Sequence, residues 1–88
     1  MIAKAWYAYV IRTEKGHLYT GITTDLERRF REHATGKRGA KFFRTSSPLE
    51  MVWKKRFKTR SEASRFEASF KALNRKKKLA FLGFDKEF

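Results

Sequence analysis

Apolar and polar positions change their period several times along the chain, and each change marks an element. Trp6 to Arg12 is an almost unbroken run of aromatic and β-branched residues. The polar cluster Thr13, Glu14, Lys15 and Gly16 interrupts it, and Leu18, Tyr19 and Ile22 then resume a strand-like pattern. This predicts a β-hairpin. A three-residue loop of Glu14, Lys15 and Gly16, with the glycine left-handed, sets Ile11 opposite Tyr19 and Tyr9 opposite Gly21, so that Tyr9 and Tyr19 share a face. A two-residue Lys15-Gly16 turn separates them. Thr24 or Asp25 then caps a helix whose stripe is Leu26 and Phe30 and whose end is Gly36.

Residues 36 to 48 mix glycine, basic, aromatic and hydroxyl side chains without a clean period, which reads as a basic loop with a turn of helix around Lys41. Leu49 to Phe57 reads as a third strand, with Met51 and Trp53 on one side and Val52 and Lys54 on the other. Thr59 or Ser61 caps a second helix, on which Ala63, Phe66, Phe70 and Leu73 recur at helical spacing and form core. The basic run Arg75 to Lys78 leads into a short third helix through Leu79, Phe81 and Leu82. The fold class is therefore α+β: a small three-stranded antiparallel sheet, hairpin plus third strand, flanked by two to three helices. Residues 1–84 form a single domain and residues 85–88 a short tail.

Composition sharpens this picture mainly through charge. Twenty-two Lys and Arg stand against nine Asp and Glu, giving a net charge of +13. Eight basic and four acidic residues precede position 41, and fourteen and five follow, so the excess leans to the second half. Self-repulsion of this size calls for an anionic partner, and nucleic acid is the first expectation. The absence of cysteine removes disulfides, thiolate zinc sites and thiol nucleophiles. No stretch approaches the length of a membrane-spanning helix, and the run Ala5 to Ile11 reads as a strand and not a leader, so a soluble, cytoplasmic protein with no membrane partner is expected. Monomer is the default oligomeric state.

The residue types available for catalysis are few. Phosphodiester hydrolysis needs an activated water, a cation against the charge of the phosphorane, and a proton donor or relay. Carboxylates are not clustered, so a two-metal site is not expected. A one-metal site can be assembled instead, with Glu67 holding the ion, Arg29 on the phosphate, and Tyr9, Tyr19 or His33 handling the proton. Arg29 and His33 are four apart and project from one helix face. Each has a plainer reading: the tyrosines as packed aromatics, Arg29 and His33 as solvated charge, and Glu67 as the partner of Lys71 four residues on.

Ala8-Tyr9-Val10, then Tyr19-Thr20-Gly21, then Arg29 and His33, then a single Glu on a later helix resemble the GIY-YIG nuclease superfamily. The run Tyr19-Thr20-Gly21-Ile22-Thr23-Thr24-Asp25-Leu26-Glu27-Arg28-Arg29, the loop Gly39-Ala40-Lys41, and Arg60-Ser61-Glu62-Ala63 resemble its small, single-domain bacterial branch. The resemblance spans about residues 6 to 80. It implies one catalytic centre and one divalent cation, usually Mg2+. Tyr9 then matches a proposed general base, with Tyr7 as the neighbouring alternative, and Tyr19 a residue that positions water or phosphate. Arg29 matches a transition-state stabiliser, His33 an auxiliary proton-handling residue, and Glu67 the metal ligand. Asn74 is a candidate for an asparagine that many relatives carry.

The expected function is a metal-dependent endonuclease hydrolysing DNA with little sequence preference, because phosphate contacts position a protein whereas base-edge contacts specify. Lys37, Arg38, Lys41 and Arg44 of the loop, and Lys76, Lys77 and Lys78 of the later run, are the expected phosphate contacts. The alternative is a non-catalytic nucleic-acid-binding module using the same fold and basic surface. A basic module that docks to an acidic protein is a third reading.

Overall fold

The computed structural model describes residues 4–36 and 38–84; Lys37 and the expected tail at 85–88 lie outside the described residues. Strand β1 (Trp6–Thr13) and strand β2 (Leu18–Thr23) form the hairpin. Thr13 N donates to the carbonyl of His17 and Gly16 N to that of Thr13, which closes the three-residue loop, with Gly16 at φ 85°. That turn fixes the register Tyr9 opposite Gly21 and Ile11 opposite Tyr19, the arrangement that places both tyrosines on one face.

Helix α1 (Leu26–Thr35) starts at Asp25, whose carboxylate accepts from Arg28 N, and ends at left-handed Gly36. A short 3-10 helix at Lys41–Arg44 follows, then β3 (Pro48–Phe57), α2 (Arg60–Lys71) and α3 (Arg75–Leu82). Thr59 caps α2 by accepting from Glu62 N, and Asn74 caps α3 by accepting from Lys77 N. Each such cap is worth about 1 kcal/mol. Asn74, the candidate for the asparagine of many relatives, is thus engaged as a helix cap.

The sheet has the order β2-β1-β3, antiparallel throughout. Its regularity breaks on β3. Val10 pairs with Trp53 but Ile11 pairs with Met51, so Val52 is skipped, and Leu49 is skipped in the same way between Arg12 and Thr13. A bulge of this kind turns the strand by one residue. Met51 and Trp53, expected on one side, therefore face opposite sides: Met51 packs with Tyr9, Ile11, Phe43, Leu26 and Phe30, while the Trp53 ring stacks on Phe66 of α2 at 4.6 Å. An unbroken alternation would have put Trp53 beside the tyrosines.

Candidate active site

The centre of the site is the hydroxyl of Tyr9, whose residue is only 1% exposed. Its ring lies across Gly21 on the neighbouring strand. A Cβ at that position would sit 2.5 Å from the hydroxyl, so the second strand motif needs glycine there to let the phenol pass. Tyr19, two residues earlier on β2, brings its ring to 6.3 Å from Tyr9 and 5.2 Å from His33. Phe43 closes this aromatic box at 4.9 Å from Tyr19 and 4.5 Å from His33. The 3-10 helix, read from the sequence as part of a basic loop, thus contributes an apolar wall; exposed Phe42 lies 5.4 Å from Tyr19.

Helix α1 supplies the polar groups. His33 Nε2 is 2.9 Å from the Tyr9 hydroxyl, and its Nδ1 accepts from the main-chain N–H of Ala40 at 3.1 Å. At 2% exposure His33 is buried, which sets aside the plainer reading of it as solvated charge; the 3-10 helix and its approach cover it. Burial, reinforced by the charge of Arg29, pushes its pKa down from 6.5 to about 4, so it is neutral at neutral pH. Arg29, one turn earlier, donates to Glu32 Oε1 at 3.1 Å and to the carbonyl of Arg38 at 2.6 Å. Burial opposes its charge, but the bonds to Glu32 and to Tyr9 outweigh that and hold its pKa above the ordinary arginine value. Glu32 was not foreseen; its only signal in the sequence is the three-residue spacing from Arg29.

Tyr9 is pushed above the ordinary 10.0 of a phenol, first by burial, then by Tyr19 beside it and by the charge of Glu67, against the pull of Arg29. Tyr9 is therefore a phenol at neutral pH. Tyr7, its rival, lies two residues along the same strand and so on the same face; position along the strand, not face, separates the two.

Glu67 sits on α2, which packs against β1 and β2. Its side chain is 23% exposed, and its Oε2 pairs with Lys71 Nζ at 3.2 Å. Lys71 is 54% exposed, so this pair is solvent-screened and weak. Among the described residues no group of three or more His, Cys, Asp or Glu gathers as a metal site. Glu67 is a single carboxylate, which is within the one or two that magnesium commonly takes beside its substrate, so it could hold such an ion.

The expected phosphate contacts are carried on two different elements. Arg38, Lys41 and Arg44 are exposed around the 3-10 helix, and Lys76 and Lys77 are exposed on α3. Lys78 is half-buried with Nζ 5.8 Å from the Phe70 ring, and Arg75 binds the carbonyl of Gly16 at 3.0 Å. An apolar cleft of about 560 Å³ lies elsewhere, between α1 and β3, and is lined in part by Leu26, Phe30 and Met51. No helix among the described residues is long and apolar enough to cross a membrane.

The chain matches the GIY-YIG catalytic domain over residues 5–80. It is 46% identical over 77 residues to a UPF0213 protein of Cupriavidus necator, covering 88% of this chain and 83% of that one. To a UPF0213 protein of Streptococcus agalactiae it is 43% identical over 82 residues, covering 93% and 92%. Two solution NMR structures are similar: a UPF0213 protein from Bacillus halodurans, at TM-score 0.59 and 39% identity over 90% of this chain and 83% of that one, and a protein from E. faecalis, at 0.63 and 42% over 92% and 85%. With a family match spanning most of its length and close relatives that align along nearly their whole sequences, the chain belongs to the GIY-YIG family, in its small single-domain bacterial UPF0213 branch.

Proposed function

We propose that this protein is a metal-assisted endonuclease that hydrolyses phosphodiester bonds, with DNA as its substrate and little sequence preference. The observation that carries the reading is the meeting of three groups from two elements: the Tyr9 hydroxyl, His33 Nε2 at 2.9 Å from it, and the Arg29 guanidinium coupled to the same hydroxyl. A net charge of +13 favours a polyanion around them.

Arg29 is the group that takes a non-bridging phosphate oxygen and offsets the charge that grows on it. Tyr9 handles the proton of the attacking water. As a phenol it accepts that proton while passing its own to a phosphate oxygen; as a phenolate, at higher pH, it accepts directly. The water oxygen bonds to phosphorus, the bond from phosphorus to the leaving oxygen breaks, and the leaving alkoxide takes a proton from solvent. Tyr19 lines the space in which water and phosphate are positioned. Glu67 is the residue that would hold a divalent cation, which supplies further neutralisation of the phosphate and its leaving oxygen.

The test is to incubate the purified protein with labelled single-stranded, duplex, nicked and branched DNA and with RNA, in magnesium, in manganese and in chelator, from pH 7 to 10. Cleavage that rises with pH, needs the metal and disappears in Tyr9→Phe is expected. A mobility shift without cleavage of any form would replace the nuclease with the binding module.

A further inference from the structure

The two functional side chains of α1 are both held by the main chain of one three-residue segment, Arg38-Gly39-Ala40. Arg38 adopts φ 59°, the left-handed region that a branched or long side chain enters rarely. Gly39 then passes so close to the last turns of α1 that a Cβ there would meet the Glu32 carbonyl oxygen at 2.6 Å and His33 Cα at 2.8 Å. Both are backbone atoms of a helix and have little room to give. The approach that only glycine permits carries the Arg38 carbonyl to 2.6 Å from Arg29 Nη1 on one side and the Ala40 N–H to 3.1 Å from His33 Nδ1 on the other.

A backbone N–H can only donate. Nδ1 must therefore present its lone pair to Ala40, and a neutral imidazole then carries its one proton on Nε2, 2.9 Å from the Tyr9 oxygen. We propose that segment 38–40 is a backbone clamp that fixes His33 as the Nε2–H tautomer and steadies Arg29. His33 is thereby a hydrogen-bond donor to Tyr9 and not an acceptor of its proton, and Gly39 and His33 are positioning residues. The direction of this bond has a consequence for the phenol. With its oxygen receiving from His33, the Tyr9 proton is left to point away from the imidazole, free for the relay of the nuclease reading. The opposite tautomer would set two donors against each other at Ala40 and draw the Tyr9 proton inward onto Nε2. The low pKa of His33, set by burial and by Arg29, agrees with a neutral ring. The catalytic meaning of the clamp rests on the nuclease reading; the tautomer itself is a property of the resting protein.

The deciding measurement needs no substrate. Long-range proton–nitrogen NMR on uniformly 15N-labelled full-length protein at pH 7 reads both imidazole nitrogens, with His17→Gln used to assign the two histidines. The expected result is His33 with an unprotonated Nδ1 and a protonated Nε2, more than about 90% in one form. A protonated Nδ1, an even mixture or an imidazolium overturns the clamp. In a second arm, Gly39→Ala is expected to mix the tautomers and to lower cleavage at least tenfold. A folded Gly39→Ala protein with an unchanged tautomer also overturns it, and if that variant does not fold, the measurement on the parent protein decides alone. A pure Nε2–H tautomer in a protein that cleaves nothing leaves the clamp standing and removes the nuclease, so the two failures are distinguishable.

Discussion

The two faces of the one sheet use aromatic residues to opposite ends. On the side of α2 and α3, Trp53, Phe66, Phe70 and Phe81 pack ring on ring, with centroids 4.6 to 5.8 Å apart, over Val10 and Ala63, which are fully buried. None of the phenylalanines has a polar tip, and the cluster can do nothing except exclude water. On the side of α1, Tyr9, Tyr19, His33 and Phe43 pack with centroids 4.5 to 6.3 Å apart, but three of the four rings carry an oxygen or nitrogen, and the tips of Tyr9 and His33 meet. Strand β1 feeds both faces by simple alternation. Burial does different work on the two sides: on the first it stabilises, and on the second it also sets protonation.

The largest effect separates the faces outright. Phe70 is 2% exposed, and Phe70→Ala should destabilise the domain by about 3–5 kcal/mol, much of what so small a fold possesses. Urea unfolding followed by circular dichroism reads this directly. A loss below about 1 kcal/mol would mean that the α2 and α3 face is not the core.

The α1 face should reveal itself through pH. Unfolded His33 titrates near 6.5 and folded His33 near 4, so between those values the unfolded chain binds a proton that the folded chain refuses. Stability is then complete above pH 6.5 and falls toward pH 4, by something on the order of 3 kcal/mol. Tyr9 acts at the other end: its folded pKa lies above the unfolded 10.0, so its share is intact below pH 10 and is lost as pH rises beyond it. His33→Gln should flatten the acid limb. An unchanged limb would show that His33 is solvated and the site open.

Function should fall while the fold stays when a tip is removed and the ring is kept. Tyr9→Phe and Arg29→Ala should each lower cleavage on the order of 10²-fold or more, and Tyr9→Phe should leave DNA affinity nearly unchanged, as expected for an interaction made in the transition state. Tyr7→Phe, on the same face but one repeat along, should be nearly inert. Exchanged results would move the catalytic phenol to Tyr7. Glu67→Gln should reduce magnesium-dependent cleavage roughly tenfold or more with the fold kept, while Lys71→Ala, which breaks only a screened surface pair, should not.

Much of this was legible from residue types and spacing, for physical reasons. Local chemistry narrowed the hairpin to a three- or a two-residue turn and the caps to Thr24 or Asp25 and to Thr59 or Ser61; the structure takes the three-residue turn, with Tyr9 opposite Gly21, and the caps Asp25 and Thr59. Glu67 was picked out first as the acid available for a one-metal site and then again by the family resemblance. The bulge at Val52 was not legible, because Met51, Val52 and Trp53 are all apolar and any register of them satisfies the pattern. The burial of His33 was hidden for a different reason. A histidine on a helix is covered or open according to where a distant loop returns, and the returning loop carries its signal only in Gly39, whose lack of a side chain matters through contact with α1.

The smallest expected effect asks which face meets phosphate. Each phosphate neutralised on duplex DNA contributes about 0.9 to the slope of log affinity against log salt, and four to six contacts would give roughly −4 to −5. Lys41 and Arg44 flank the aromatic box, whereas Lys76 and Lys77 stand on α3, with Lys78 laid against Phe70. Lys78 is best left in place, because its removal would disturb packing as well as charge. Lys41→Ala with Arg44→Ala should therefore flatten the slope by about 2, and Lys76→Ala with Lys77→Ala by up to about 2 if α3 also touches the duplex. A change confined to the first pair would restrict the interface to the α1 side and leave α3 as a purely structural helix with a solvated basic turn. Equal changes would mean that the DNA wraps past the edge of the sheet, and the division of labour between the faces would then hold for catalysis but not for binding. A flat salt response of the parent protein would remove nucleic acid as the partner altogether.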